Sequence, residues 1–273
     1  MPDLDITRYD VRPNLGRHKV LDPRSLAYRT PYTGEDLKPV EWLPKTPVLN
    51  QQNLLAQGIR TSHVFLGAPD VDALGSCTGN AATCLISVLH TPEQLAVAAL
   101  NVTDPVDAEL WSIGLYSDAT HRDQWHEQAW PATDCGSSGL GVAKALRARG
   151  LIAEYRTATT AEELCTLLQA GPVLMGMPWH AAFTQASDDA GFIDTTPGWA
   201  DSPLEGGHEV CITALEAVAL HDGRLLPDHT VLRFRNSWGT GWGDRGEGRL
   251  FLSTYLALRD QIDLVQPRLD TVR

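Results

Sequence analysis

Arg235-Asn236-Ser237-Trp238-Gly239-Thr240-Gly241-Trp242-Gly243 is the stretch on which the reading of this chain turns. An asparagine leaves a β-like run, HTVLRFRNSW (229–238), and enters a turn built of glycine and tryptophan. Its amide oxygen could accept a hydrogen bond from an imidazole N–H, and the adjacent indole could shield that bond from water. An aromatic-rich turn with no chemistry fits the same residues. The stretch therefore directs attention to a histidine and to a group that the histidine would serve.

Upstream, Gly206-Gly207-His208-Glu209-Val210-Cys211-Ile212 delivers a histidine onto the start of an apolar strand. The glycines allow close backbone approach, and the histidine would face across a cleft; a satisfied structural histidine suits the pattern too. Further back, Gly75-Ser76-Cys77-Thr78-Gly79-Asn80 opens an apolar helical run, AATCLISVLH (81–90). A thiol at a helix start meets unpaired N–H groups and the positive end of the helix dipole, which favour the thiolate. Packing alone also places cysteines in such positions. Each segment has a bland reading by itself. The three in this order ask for a common one.

The remaining chain reads as helices first and strands second. PEQLAVAAL (92–100), DPVDAELWSIGLYSDATHRDQW (104–125), LGVAKALRARG (140–150) and AEELCTLLQAG (161–171) carry helical patterns or caps. From Pro172, short β-like runs follow one another: PVLMGMPW, HEVCITALEAVAL, HTVLRFRNSW and GEGRLFLS. That order predicts an α+β fold over a doubly wound parallel sheet.

Composition limits the function. A formal net charge of −12 and the absence of any Lys/Arg cluster argue against a nucleic-acid surface. The charged amino terminus shows no signal peptide, and no apolar run is long enough for a membrane span. Five cysteines, at 77, 84, 135, 165 and 211, form an odd set that reads as reduced thiols, with Cys84, Cys165 and Cys211 structural. His121 and His126 with Asp118 and Asp123 fit no zinc spacing, so no metal site and no cofactor are expected.

These segments resemble the papain-like cysteine peptidases, in which cysteine, histidine and asparagine occur in this order. His208 follows Cys77 by 131 positions and Asn236 follows it by 159, close to the family's spacing. NSWGTGWGDRGEGRLFLS (236–253) is similar to the family's asparagine segment over its whole length. GSCTGNA (75–81), GGHEV (206–210), ATHRDQW (119–125) and DCGSSG (134–139) look like bacterial and phage members. The resemblance spans about residues 45–255. It implies a single papain-like domain over 1–273. A helical lobe of about 46–170 would face a β-rich lobe of about 171–273 joined by residues 1–45, with the cleft between them.

The resemblance also implies roles. Cys77 is the nucleophile, His208 the acid/base and Asn236 the group that holds the ring. Trp238 covers the Asn236–His208 bond, and Trp238, Gly207 and Trp179 are the substrate-binding candidates, although Met175-Gly176-Met177-Pro178-Trp179 fits a hydrophobic core strand equally well. The family's oxyanion glutamine lies six residues before the cysteine, where this chain has Val71. PVLNQ (47–51) resembles the family's segment and nominates Gln51, with Gln52 as alternative, if about 20 residues are inserted before Cys77. That insertion could cover the cleft. The partner implied is a peptide or protein substrate, and the default compartment is the cytosol of a bacterial or phage-infected cell. Two other functions compete. One is a papain-like scaffold that has lost catalysis; the other is an amidase or transpeptidase acting on cell-wall peptides. Residues 1–45 are expected to be part of the folded body and not a detachable leader.

Overall fold

The computed structural model describes residues 15–20, 22–125, 129–185 and 190–269. The helices come first. After a short helix α1 (Thr61–Val64), α2 (Cys77–Leu89) buries eleven of its thirteen residues, so it is central, not amphipathic. α3 (Pro92–Val97) starts on a capping box made by Thr91 and Gln94, with proline in its first turn. Asp104 caps α4 (Pro105–Thr120), Ser138 caps α5 (Gly139–Ala148) and Thr160 caps α6 (Ala161–Ala170) through backbone N–H groups of their first turns. The predicted third helix thus stops at Thr120, short of Trp125.

The sheet is antiparallel. Its strands are β1 (Val40–Glu41), β2 (Glu154–Arg156), β3 (Val173–His180), β4 (Leu204–Ala217), β7 (Val231–Arg235), β8 (Glu247–Phe251) and β9 (Asp263–Arg268). Their order is β2-β9-β3-β4-β7-β8, with β1 paired to β4, while β5 (Leu220–His221) and β6 (Arg224–Leu225) form a separate hairpin. In the central pair, Met177 faces His208 and Leu174 faces Cys211. α7 (Leu252–Leu258) follows β8 directly.

One apolar core lies on the sheet and contains Trp179, Trp238, Trp242, Phe183 and Phe234, together with Leu164 and Leu168 of α6. A second joins α2, α4 and α5 to Leu174, Cys211 and Val265 of the sheet. α6 and β2 therefore belong with the sheet, and the chain crosses between layers near residue 153, earlier than the change of composition at 170 suggested. The reason is α6's amphipathic face, which is buried against strand side chains.

The stretch between Gln51 and Cys77 builds a third small core of its own. Leu54, Ile59, Ala68 and Leu74 pack on Ile113, Tyr116 and Trp130. It is anchored on α4. The segment that lies over Cys77 is a different one, residues 15–18.

Candidate active site

Cys77 is the first residue of α2 and is completely buried. The preceding loop is held from two sides. The Gly75 N–H donates to Asp134 at 2.9 Å, and the Tyr116 hydroxyl donates to the same carboxylate at 2.7 Å. On the opposite wall, the Ser137 and Ser138 hydroxyls both donate to buried Asp123 at 2.6 Å, fixing the turn that opens α5. Of the residues considered for a metal cluster, Asp123 is thus committed to these serines, Asp118 pairs with Arg149, and His121 bonds its own helix at Ser117. His126 lies outside the described residues.

His208 sits on β4 with no exposure, and its Nε2 lies 2.8 Å from Asn236 Oδ1. The Ser237 backbone N–H donates to that same oxygen at 2.7 Å. A backbone N–H can only donate, so Oδ1 is the acceptor in both bonds and His208 Nε2 carries the proton. Nδ1 is therefore the basic nitrogen, and it has no hydrogen-bond partner among the described residues. Asn236 is itself pinned by its N–H to Gly246 O at 3.0 Å.

Trp179 and Trp238, both fully buried, bracket the imidazole with ring centroids 4.8 Å away, one edge-on and one tilted. Trp242 packs on Trp238 at 5.6 Å and donates to Thr184 O. Trp179, nominated as a substrate-binding residue, stands behind the histidine as a wall of the core. Gln51 links the two halves. Its Nε2 donates to Leu74 O at 2.8 Å, its Oε1 accepts from Ser237 Oγ at 2.5 Å, and its N–H donates to Ser237 O at 3.0 Å. The backbone N–H of Gln52, its sequence alternative, donates to Asn50 Oδ1 at 3.3 Å.

Residues 15–18 lie across this site. Gly16 O accepts from Ser137 N–H at 2.6 Å, the His18 N–H donates to Ser137 O at 2.7 Å, and the Arg17 N–H donates to Gly207 O at 3.0 Å. The segment is thereby bonded to both walls, one from the α5 turn and one from β4. A Cβ on Gly16 would collide with the Gly75 carbonyl, so only glycine fits where the segment crosses the cysteine loop.

The electrostatics follow from this cover. Burial pushes the Cys77 thiol up to about 12, opposed by hydrogen bonds from the N–H groups of Glu209, Gly16 and Thr78 and reinforced by the Glu209 carboxylate. Burial likewise pushes His208 down to about 4 against the bond to Asn236. At neutral pH the pair is an uncharged thiol and an uncharged imidazole. The helix-start effect expected to favour the thiolate is outweighed by the complete burial of the sulfur.

Sequence reasoning passed over Gly16, Arg17, Glu209 and Asp263. One signal was present: a glutamate in the otherwise apolar run VCITAL after His208 is a buried acid in need of a partner.

The chain matches no protein-family model and no curated protein in sequence. In structure it is similar to xylellain, a cysteine protease from Xylella fastidiosa, with a TM-score of 0.60 at 16% identity, covering 97% of this chain and 100% of that one. Digestive procathepsin L 3 of Tenebrio molitor larval midgut aligns at a TM-score of 0.49 and 15% identity, over 89% of this chain and 74% of that one. The fold is papain-like, a helical layer against an antiparallel sheet. Among the described residues, no helix is long and apolar enough to cross a membrane.

Proposed function

We propose that this papain-like chain is a cysteine peptidase that hydrolyses peptide bonds through Cys77, His208 and Asn236. The observation that carries the reading is the double acceptance at Asn236 Oδ1, which leaves the basic Nδ1 of His208 without a partner inside a buried site. A histidine kept only for packing would have both nitrogens satisfied.

In the reaction, His208 Nδ1 takes the Cys77 proton, and the thiolate attacks the scissile carbonyl to form a tetrahedral adduct. The imidazolium then returns its proton to the leaving amine, and water resolves the acyl-enzyme by the same histidine. Asn236 keeps Nε2 protonated throughout, so the ring cannot present the wrong nitrogen. Backbone N–H groups at the start of α2 and the Gln51 amide are assigned to the oxyanion. Gln51→Ala is expected to lower kcat about a hundredfold with little change in KM, as loss of one oxyanion donor does. Steady-state kinetics decide the assignment: an unaltered kcat dismisses it.

On this reading the chain as folded is latent: Cys77 is fully buried, its thiol is pushed up to about 12, and residues 16–18 are bonded to both walls of the site. The reading is tested by labelling with a thiol-directed epoxide after the segment is displaced. Stoichiometric modification at Cys77, lost in His208→Ala, is expected. A Cys77 that stays inert once it is open to solvent overturns the peptidase reading and favours a scaffold.

A further inference from the structure

Arg17 is 8% exposed, an unusual depth for a guanidinium on a segment that otherwise runs over the surface of the cleft. Its side chain enters a recess beside His208. Glu209 forms the floor at 1% exposure, and Asp263, at the start of β9, forms the rim. Arg17 Nη2 is ion-paired to Asp263 and donates to Gln261 O at 3.1 Å. Neither carboxylate oxygen of Glu209 has a hydrogen-bond partner among the described residues, nor has Arg17 Nε. The pairing between them is therefore charge on charge, without hydrogen bonding.

The recess exists because side chains are missing from its walls. A Cβ on Gly176 would collide with Arg17 Nε and lie 2.7 Å from an oxygen of each carboxylate. One on Gly139 would lie 2.9 Å from Asp263 and 3.3 Å from Glu209, and one on Gly207 would collide with the Arg17 carbonyl. Three glycines from β3, α5 and β4 thus leave room for one long, flat side chain. Two acids at its end supply charge. Burial raises the Glu209 carboxyl to about 7, opposed by the Arg17 guanidinium, so a cation in the recess favours its ionised form, and Asp263 is the carboxylate that pairs directly.

We propose that the Glu209–Asp263 recess is a specificity pocket for the basic side chain of an extended peptide substrate, arginine above all, and that Arg17 fills it in cis. The word substrate rests on the peptidase reading above; the pocket itself does not. Arginine fits better than lysine because its charge is spread over Nη2, which serves both Asp263 and Gln261 O, and Nε, which lies toward Glu209. The backbone bonds of residues 16–18 to Ser137 and Gly207 show how an extended chain is held while its side chain enters.

The test uses the full-length Arg17→Gln chain, in which the internal guanidinium is gone. Calorimetric titration compares a Leu-Gly-Arg-His peptide with its citrulline twin, which has the same shape without the charge. The arginine peptide should bind at least tenfold more tightly, and Asp263→Asn or Glu209→Gln added to that chain should bring the ratio toward one. Asp263→Asn keeps the test decisive should Glu209→Gln fail to fold, since Asp263 lies at the rim. Equal affinities, a ratio untouched by the carboxylate variants, or no binding of either peptide at millimolar concentration would each overturn the proposal. Charge-selective binding with no cleavage of any peptide would instead defeat the peptidase reading and leave the pocket standing. Cleavage with no preference for basic residues would do the reverse.

Discussion

Cys77→Ala and His208→Ala should each abolish peptide hydrolysis, lowering kcat by about 10⁴-fold or more, and the double variant should be no worse than either alone. The non-additivity follows from the geometry. The proposed reaction needs one proton to pass from Cys77 Sγ to His208 Nδ1, so a chain lacking either group lacks the transfer. Cys77, pushed up to about 12 by burial, is a protonated thiol at neutral pH until a base takes its proton, and His208 is the base proposed. Each is inert without the other. The measurement is cleavage of a peptide library by the Gly16→Ala chain, in which residues 15–18 are displaced, and by the same chain carrying each of the three changes, with the helical and sheet content of each checked by circular dichroism. Residual hydrolysis in Cys77→Ala comparable to that of the displaced-segment parent would show that the chemistry lies elsewhere.

Gly16→Ala should convert the latent chain into a reactive one. The added Cβ collides with the Gly75 carbonyl, and backbone on both sides leaves no flexible atom to yield. The segment must lift. Water then reaches Cys77 and its pKa returns from about 12 toward the ordinary value of 9.0. Three pKa units correspond to about a thousandfold more thiolate at pH 7; the weaker intrinsic nucleophilicity of a less basic thiolate offsets part of this, and access adds to it. Iodoacetamide labelling of Cys77 should accelerate by about a hundredfold to a thousandfold, and peptidase activity should rise with it. The histidine gives an independent readout by NMR titration. In the parent chain its folded value is depressed to about 4 from 6.5, so the covered state's contribution from His208 is complete above pH 6.5 and is lost as pH falls toward 4. In Gly16→Ala the midpoint should move back up. Labelling as slow as in the parent, with the His208 midpoint unmoved, would mean that the segment does not control the site.

The parts of the fold legible in sequence were those that local chemistry fixes. α3, α4 and α6 announce themselves by Thr91-Pro92, Asp104-Pro105 and Thr160 ahead of helix-forming runs, and the structure begins them there. The β-like runs after Pro172 are β3, β4, β7 and β8. The turn after Asn236 was legible because Gly239 and Gly243 adopt positive φ, which glycine tolerates and other residues rarely do. What escaped notice is long-range. The partnership of Arg17 with Glu209 and Asp263 joins residues about 190 and 246 positions apart, and nothing local to Arg17 marks it out from other arginines of an extended, polar segment. The allegiance of α6 to the sheet was hidden for a related reason: an amphipathic helix declares that it has a buried face, not which partner covers it.

The bonds of residues 16–18 to Ser137 and Gly207 carry a consequence for the order of events during synthesis. The segment is made before both of its docking partners, which follow it by more than a hundred residues. It can settle only when β4 has joined the sheet, which is also the moment at which His208 reaches Cys77's side of the molecule. Placement of His208 beside the Cys77 loop and docking of residues 16–18 thus wait on the same strand, and the cover cannot close before the site that it covers is assembled.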